Sequence, residues 1–227
     1  ELIESAGAVW AENLDDCAQK CLNLISKEYP LESDEELSDR AAEAVKMLGK
    51  EQKYVRGAFS GGTYMDEAMQ TLAEKVGPIY SNSPLKEDWR LLDSHVSVEN
   101  TCIDYGEEEF TLGRPHPAID PGVRQPAILR EAADPETAVI LLDFILTHMD
   151  PAGYALADIR VAQEQAQARG RHLIFVASVL GTNADLQNLD EQCQKLRESG
   201  VLLCRTNERA SALAGEIIRQ KKEMDEH

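Results

Sequence analysis

Positive charge is scarce in this sequence. It carries 23 lysines and arginines against 41 aspartates and glutamates, which gives a formal net charge of −18 at pH 7. Nucleic-acid backbones and anionic membrane surfaces repel such a chain, so we expect neither as a partner. A small anionic substrate is still compatible with the composition, because the charge around a local site decides whether a small molecule binds there.

Long apolar runs, paired cysteines and metal-ligand patterns are also missing. No apolar run reaches the roughly 18 residues of a membrane-spanning helix, and the first residues do not resemble a signal peptide. The five cysteines are scattered, and neither they nor the five histidines show the spacing of metal ligands. We therefore expect a cytoplasmic protein without a metal site, whose cysteines are small buried thiols in a reducing compartment.

The apolar residues that are present divide the chain into two regions. They make up 43% of the 227 residues, which is enough for a packed core. Residues 1–50 place them at helical spacing with a break at Pro30, and this predicts a helical arm or the end of a preceding domain. From Lys53 onward, strand-like segments alternate with helical ones.

Five segments of the second region read as strands. They are "YVRGAFS", "VENTCID", "TAVILLDFIL", "HLIFVASVLG" and "VLLCRT". Strands that alternate with helices predict a parallel sheet with right-handed crossovers. We therefore expect a flavodoxin-like doubly wound parallel sheet over residues 53–220, with the helical arm attached at its N-terminus. Ligands of such folds bind at the carboxyl ends of the strands, so the loops that follow the strands are where we look for chemistry.

The first of these loops is Ser60-Gly61-Gly62-Thr63. Glycines let the backbone turn tightly, the free amides of the following helix can hold an anion, and the two hydroxyls add hydrogen-bonding groups. The loop matches neither the dinucleotide fingerprint nor a Walker A motif, which needs a lysine. An ordinary turn followed by a helix start explains the same residues equally well.

The second loop is Gly113-Arg114-Pro115-His116-Pro117. The two prolines fix the backbone on both sides of His116. Arg114 offers a planar fork for a carboxylate or a phosphate, and His116 can donate a hydrogen bond or move a proton near neutral pH. The alternative is a stiff surface loop whose Arg114 pairs with the glutamates at 107–109.

Two later loops carry weaker signals. In "DFILTHMDPAG", Asp143 lies inside an apolar run, and Asp150 is more typical of a helix cap than of a catalytic acid. In "LGTNADLQ", the residues that could line a crevice are Gly181, Thr182 and Asn183, and Asp185 or Asn183 could cap the next helix.

Several stretches together resemble the carboxyl-terminal half of FdrA proteins. These proteins are relatives of the succinyl-CoA synthetase alpha chain within the NDP-forming acyl-CoA synthetase superfamily. The resemblance covers most of residues 9–218, and its most specific part is "GRPHPAIDP". The other stretches are "SGGTYMDEA", "AVILLDFIL", "DPAG", "VASVLGTNADLQ" and "LRESGVLLCRTNERASALA".

The resemblance implies a phosphate site without a phosphohistidine. In the synthetases a helix start that resembles "SGGTYMDEA" stabilises a phosphohistidine, which lies in a loop after the fourth strand of the domain. Here that loop is "LGTNADLQN" and contains no histidine. FdrA-like proteins are also linked to an oxamate carbamoyltransferase, whose chemistry needs an anion site and an arginine for a carboxylate but no phosphohistidine.

The resemblance further implies that the usual amino-terminal CoA-binding-like domains are not part of this sequence. CoA or a nucleotide would then be bound by a missing domain or by a partner, and the chain would form homo- or hetero-oligomers with other synthetase-like subunits. Two hypotheses follow. The chain is an enzyme subunit that binds a small phosphate or carboxylate substrate, or it is a non-catalytic interaction or regulatory domain that retains the synthetase fold.

Overall fold

The computed structural model describes residues 5–146 and 151–226, and there strands and helices alternate along the chain. In chain order the elements are α1 (Leu14–Leu24), α2 (Asp34–Val45), β1 (Tyr54–Phe59), α3 (Gly62–Val76), β2 (Tyr80–Ser81), β3 (Thr101–Asp104), α4 (Glu108–Thr111), α5 (Gln125–Ala133), β4 (Thr137–Ile145), α6 (Pro151–Ala168), β5 (Ile174–Leu180), α7 (Leu189–Glu198), β6 (Leu202–Cys204) and α8 (Asn207–Asp225). Single 3₁₀ turns lie at Glu87–Trp89 and Pro121–Arg124.

The strands form one parallel sheet in the order β2-β3-β1-β4-β5-β6. The chain builds outward from β1 first to β3 and then, in the other direction, to β4. The topological switch point therefore lies at β1, and the predicted doubly wound fold is confirmed. The two-residue strand β2 adds an edge strand to the five predicted ones. Two residues carry no periodicity, so sequence patterning could not find it.

Both faces of the sheet are covered, because successive strand residues point to opposite sides. In β4, Val139 and Leu141 belong to the core on one face, together with residues of α2, α3 and α8. Ile140 and Leu142 belong to the core on the other face, together with residues of α5, α6 and α7. The strand is apolar at nearly every position because its alternate residues are buried in these two cores.

The two helices of the first fifty residues differ in their packing. Helix α2 begins with a capping box between Ser33 and Glu36, buries Leu37 and Ala41, and packs against α8. Helix α1 buries none of its residues, and Leu24 is 82% exposed. Helix α1 is joined to the domain by polar contacts rather than by apolar burial: Asp15 accepts a hydrogen bond from the Thr206 hydroxyl at 2.7 Å.

Helix α7 begins later than the sequence predicts. The expected caps were Asn183 and Asp185, but the cap is Asn188, whose side chain accepts a hydrogen bond from the Glu191 amide at 3.1 Å. Asn188 has a φ of 58°, a left-handed conformation that asparagine tolerates better than most residues. Residues 185–188 therefore form a turn, and the propensity of the segment for helix is overridden by this local cap.

Candidate functional site

The site predicted at the end of β1 is an uncapped helix start. Helix α3 begins at Gly62, and its N-cap residue Gly61 has no side chain to bond the first amides. The first intrahelical bond runs from the Met65 amide to the Gly61 carbonyl (3.3 Å), so the amides of residues 62–64 have no partner within the helix. The amides and the helix dipole favour negative charge at this point.

Beneath this helix start lies a buried ion pair. Asp143 of β4 is fully buried, and its Oδ1 accepts hydrogen bonds from the Ser60 amide and from Arg124 Nη1, both at 2.8 Å. Arg124 Nη1 also donates to the carbonyl oxygens of Ala58 and Asp143, each at 2.9 Å. The pair therefore joins the ends of β1 and β4 at the switch point. Sequence reasoning missed Arg124, although a carboxylate inside an apolar strand requires a buried partner.

A second carboxylate borders the helix start from β3. Asp104 is 6% exposed; its Oδ1 accepts the Gly106 amide at 2.7 Å, and its Oδ2 lies 3.1 Å from where a Cβ on Gly62 would be. Burial raises the pKa of Asp104 above its ordinary value, and the negative charges of Glu107 and Asp143 add to the rise, whereas the Gly106 amide and the nearby His116 oppose it. This carboxyl group accepts a proton more readily than a solvated aspartate does.

His116 reaches the same place from the proline-flanked loop. Gly106 is the point of convergence: a Cβ there would lie 2.7 Å from His116 Nε2, 2.9 Å from Asp104 Oδ1 and 3.0 Å from the Ser60 carbonyl oxygen. His116 Nδ1 accepts the Ala118 amide at 3.2 Å. In the neutral imidazole the proton must therefore be on Nε2, the nitrogen that lies beside Gly106.

Arg114 does not point into this cluster of polar groups. Its side chain is exposed and lines a separate cavity with Tyr105 and Arg130. No ion pair joins it to the glutamates at 107–109 in the part of the chain that the structure describes. The proline-flanked loop thus presents its two candidate side chains to two adjacent places.

The fourth predicted loop, "LGTNADLQ", is occupied by its own contacts. A Cβ on Gly181 would lie 2.5 Å from Leu146 Cδ1, so this glycine permits close packing. The Thr182 amide and hydroxyl both donate to the Asp185 carboxylate, and the Asn183 side-chain amide donates to Asp190 at 2.7 Å. The described hydrogen bonds of this loop do not connect it to the start of α3. His148 and Asp150 lie outside the described residues.

Several cavities lie away from this cluster. One, of about 510 Å³, is formed between residues 29–36 and the end of β6. Another, of about 760 Å³, lies at the opposite end of β1, beside Lys53 and Lys222. We place the candidate site at the start of α3 because chemical groups converge there, whereas volume alone identifies no chemistry. In the described residues no group of three or more His, Cys, Asp and Glu side chains could hold a metal, and no helix has the length and apolarity of a membrane span.

Comparisons with known proteins agree with this architecture. A family model described as CoA-ligase matches residues 58–217, from the end of β1 into α8. The chain is also 44% identical over 174 residues to the uncharacterized protein YahF of Escherichia coli strain K12, a match that covers 75% of this chain and 34% of YahF. The chain thus spans about a third of the length of this curated relative. Because the family model matches more than half of the chain, this protein belongs to the CoA-ligase family and is related to the acyl-CoA synthetases.

Proposed function

We propose that this chain is the substrate-binding subunit or domain of an acyl- or carbamoyl-transfer enzyme, and that the reaction takes place at the start of α3. The observation that carries the proposal is the convergence of His116 Nε2, Asp104 Oδ1 and the Ser60 carbonyl on Gly106, beside an uncapped helix start. A phosphate group of the substrate would bind at Ser60-Gly61-Gly62-Thr63, because the amides of the first turn and the helix dipole favour an anion there.

His116 and Asp104 would divide hydrogen bonding and proton transfer between them. Because His116 Nδ1 accepts the Ala118 amide, the Nε2 proton would serve as a hydrogen-bond donor, and the Asp104 carboxyl, whose pKa is raised by burial, would carry the transferred proton. A nitrogen that carries a proton is a donor rather than a nucleophile. This supports a mechanism without a phosphohistidine relay, as does the absence of histidine from "LGTNADLQN".

The finer assignment is an FdrA-like oxamate carbamoyltransferase subunit. A phosphate oxygen would attack the carbamoyl carbon of N-carbamoyl-oxamate, and the carbon–nitrogen bond to the oxamate nitrogen would break. The proton of hydrogen phosphate would pass through the Asp104 carboxyl to that nitrogen, and His116 Nε2 would donate a hydrogen bond to the carbamoyl oxygen. The products are carbamoyl phosphate and oxamate, and Arg114 would hold the oxamate carboxylate. CoA or a nucleotide would bind to another domain or to a partner subunit of an oligomeric, cytoplasmic assembly.

Calorimetric titration of the purified protein tests the phosphate site. We expect inorganic phosphate and carbamoyl phosphate to bind and Gly62→Asp to weaken both at least tenfold, because the new carboxylate would lie beside Asp104 at the helix start. Gly62→Asn is the matched control, since it has the same shape without the charge and should lose far less. If neither phosphate binds, or if Gly62→Asp binds as well as the wild type, the proposal is wrong.

A separate test addresses the absence of a relay. After incubation with carbamoyl phosphate or with ATP, the intact mass should show no added phosphoryl group under alkaline conditions, where phosphohistidine survives. A phosphoryl group on His116, absent from His116→Gln, would contradict this part of the proposal.

One observation favours the second candidate function, a non-catalytic interaction domain. The apolar positions of α1 and its flanks are uncovered, with Trp10, Leu24 and Ile25 all more than half exposed. These residues would then dock onto a partner subunit. Replacing Leu24 and Ile25 by serine should leave the fold intact, since neither is buried, and should dissociate an assembly measured by light scattering. Loss of the assembly without ligand binding in either form would favour this reading.

A further inference from the structure

A cavity with excess positive charge lies beside the proline-flanked loop. It has a volume of about 280 Å³, and we call it the Arg130 cavity. The lining side chains that matter here are His95, Tyr105, Glu109, Phe110, Arg114 and Arg130. Tyr105, which follows β3 directly, is one of its lining residues.

The charges of this cavity are unusual for the chain. Two arginines and a histidine face a single carboxylate, Glu109, although the whole protein has a net charge of −18. Glu109 already accepts a hydrogen bond from the Ser94 hydroxyl at 3.0 Å. Arg114 has no ion-pair partner within residues 5–146 and 151–226. At least one guanidinium fork is therefore available to a ligand.

Arg130 is only partly neutralised by its neighbour. Its Nε lies 3.5 Å from Glu131, a distance at which the contact is weak, and its side chain is 40% exposed. Glu131 also pairs with the buried Arg56 at 3.2 Å, so one carboxylate serves two guanidinium groups. Arg130 thus retains donors that can turn toward an anion in the cavity.

Size and wall chemistry restrict what can bind. The volume corresponds to about nine water molecules at roughly 30 Å³ each, which leaves room for a ligand of a few heavy atoms. The rings of Tyr105 and Phe110 lie 4.6 Å apart, and His95 packs edge-on against Phe110 at 5.6 Å. The lining therefore combines aromatic rings with cationic side chains.

We propose that the Arg130 cavity is a binding site for a small organic carboxylate, held by Arg114 and Arg130 with His95 as an additional donor. The proposal deepens the proposed function and rests on it for the link to the reaction at the start of α3. Arg114 and His116 are two residues apart, so their backbones lie at most about 7 Å from each other. A ligand carboxylate held by Arg114 would therefore bind beside the proline-flanked loop that also carries His116. The cavity thus separates the carboxylate subsite from the phosphate subsite at α3.

Propanoate and propanamide are a matched pair of probes, because they have nearly the same shape and only the first is charged. We expect propanoate, but not propanamide, to shift the Cε1–H resonance of His95, assigned by its loss in His95→Gln. Arg114→Met and Arg130→Met should each weaken propanoate binding at least tenfold, and Arg130→Lys should weaken it less. Arg197→Met, which removes an exposed arginine on α7, is the control for net charge and should change nothing.

The outcomes separate this inference from the proposed function. If propanoate shifts His95 in a manner that depends on both arginines, the subsite exists whether or not phosphate binds at α3. If phosphate binds and depends on Gly62 but propanoate leaves His95 unchanged, the cavity assignment is wrong and the phosphate site stands. Equal effects of propanoate and propanamide, or equal losses in Arg197→Met and Arg130→Met, would also overturn the carboxylate assignment.

Discussion

The Ser60 amide donates a 2.8 Å hydrogen bond to the buried carboxylate of Asp143. The bond ties the loop before α3 to the interior of β4, and Arg124 holds the same carboxylate oxygen. The backbone that would bind a phosphate is therefore positioned by a buried charge pair one layer below it. Asp143 and Arg124 thus determine how rigidly the start of α3 is held.

Replacing Arg124 by methionine should strongly destabilise the protein. The substitution leaves the Asp143 charge buried without its cation, and we expect the free energy of unfolding to fall by about 3–5 kcal/mol in urea titrations at pH 7. The double variant Arg124→Met/Asp143→Asn should lose less, because asparagine is neutral and its Oδ1 can still accept the Ser60 amide. Equal or additive losses in the double variant would show that the two side chains do not act as a pair.

Gly106→Ala should disturb the candidate site directly. The new Cβ would lie 2.7 Å from His116 Nε2 and 3.0 Å from the Ser60 carbonyl, and a backbone oxygen cannot move aside cheaply. We expect a loss of about 1–3 kcal/mol in unfolding free energy and a changed His116 resonance. Gly49→Ala is the control, since its nearest contact is an ordinary 3.5 Å to Gln52. A Gly106→Ala variant with unchanged stability and an unchanged His116 signal would refute the convergence at Gly106.

Asp104→Asn should stabilise the protein at neutral pH. Burial raises the pKa of Asp104 in the folded state, which means that the charged carboxylate destabilises the folded protein at pH 7. The sign follows: wild-type stability from this group increases as pH falls through the folded pKa, and is lost as pH rises through it. The advantage of Asp104→Asn, measured by urea unfolding at several pH values, should therefore shrink toward acid pH. A constant difference at all pH values would contradict this account.

Four of the five cysteines should divide into a reactive and a protected pair. Cys17 and Cys21 are exposed on α1, which corrects the expectation that all the cysteines are buried. Burial raises the pKa of Cys102 to about 12 and that of Cys204 to about 11, so few of these thiols ionise at pH 8. Thiol titration of the native protein at pH 8 should label Cys17 and Cys21 quickly and the buried pair only after denaturation. Rapid native labelling of Cys102, identified by mass spectrometry, would contradict the burial.

The fold could be predicted largely from local sequence pattern. The run at 137–145 alternates between two cores, and a strand covered on both faces must be apolar at nearly every position. Asp143 could be noticed from the sequence, because it is the one charged residue in that apolar run. Its partner was not, because Arg124 is nineteen residues away and only the packing of α5 against β4 brings the two together.

The candidate site could be predicted only in part. The glycines at 61–62 and the prolines around His116 marked two loops, because backbone constraints appear directly in residue type. Whether the loops meet depends on strand order: β1 and β3 are neighbours in the sheet, so Ser60 and Asp104 end at the same edge. The sequence also could not show that Arg114 and His116 lie in different places, Arg114 at the Arg130 cavity and His116 beside Gly106.

From its sequence alone, the protein was determined to be an acidic α/β chain with a parallel sheet, glycine-lined and proline-stiffened loops, and no excess of cationic surface. These properties follow from composition, periodicity and backbone restriction, all of which are local. Tertiary structure alone decided that Asp143 is neutralised by Arg124, that His116 and Asp104 both lie beside Gly106, and that His95 and Arg130 join Arg114 around one cavity. Those relationships depend on distances between residues far apart in the chain, and such distances are set by sheet order and helix packing.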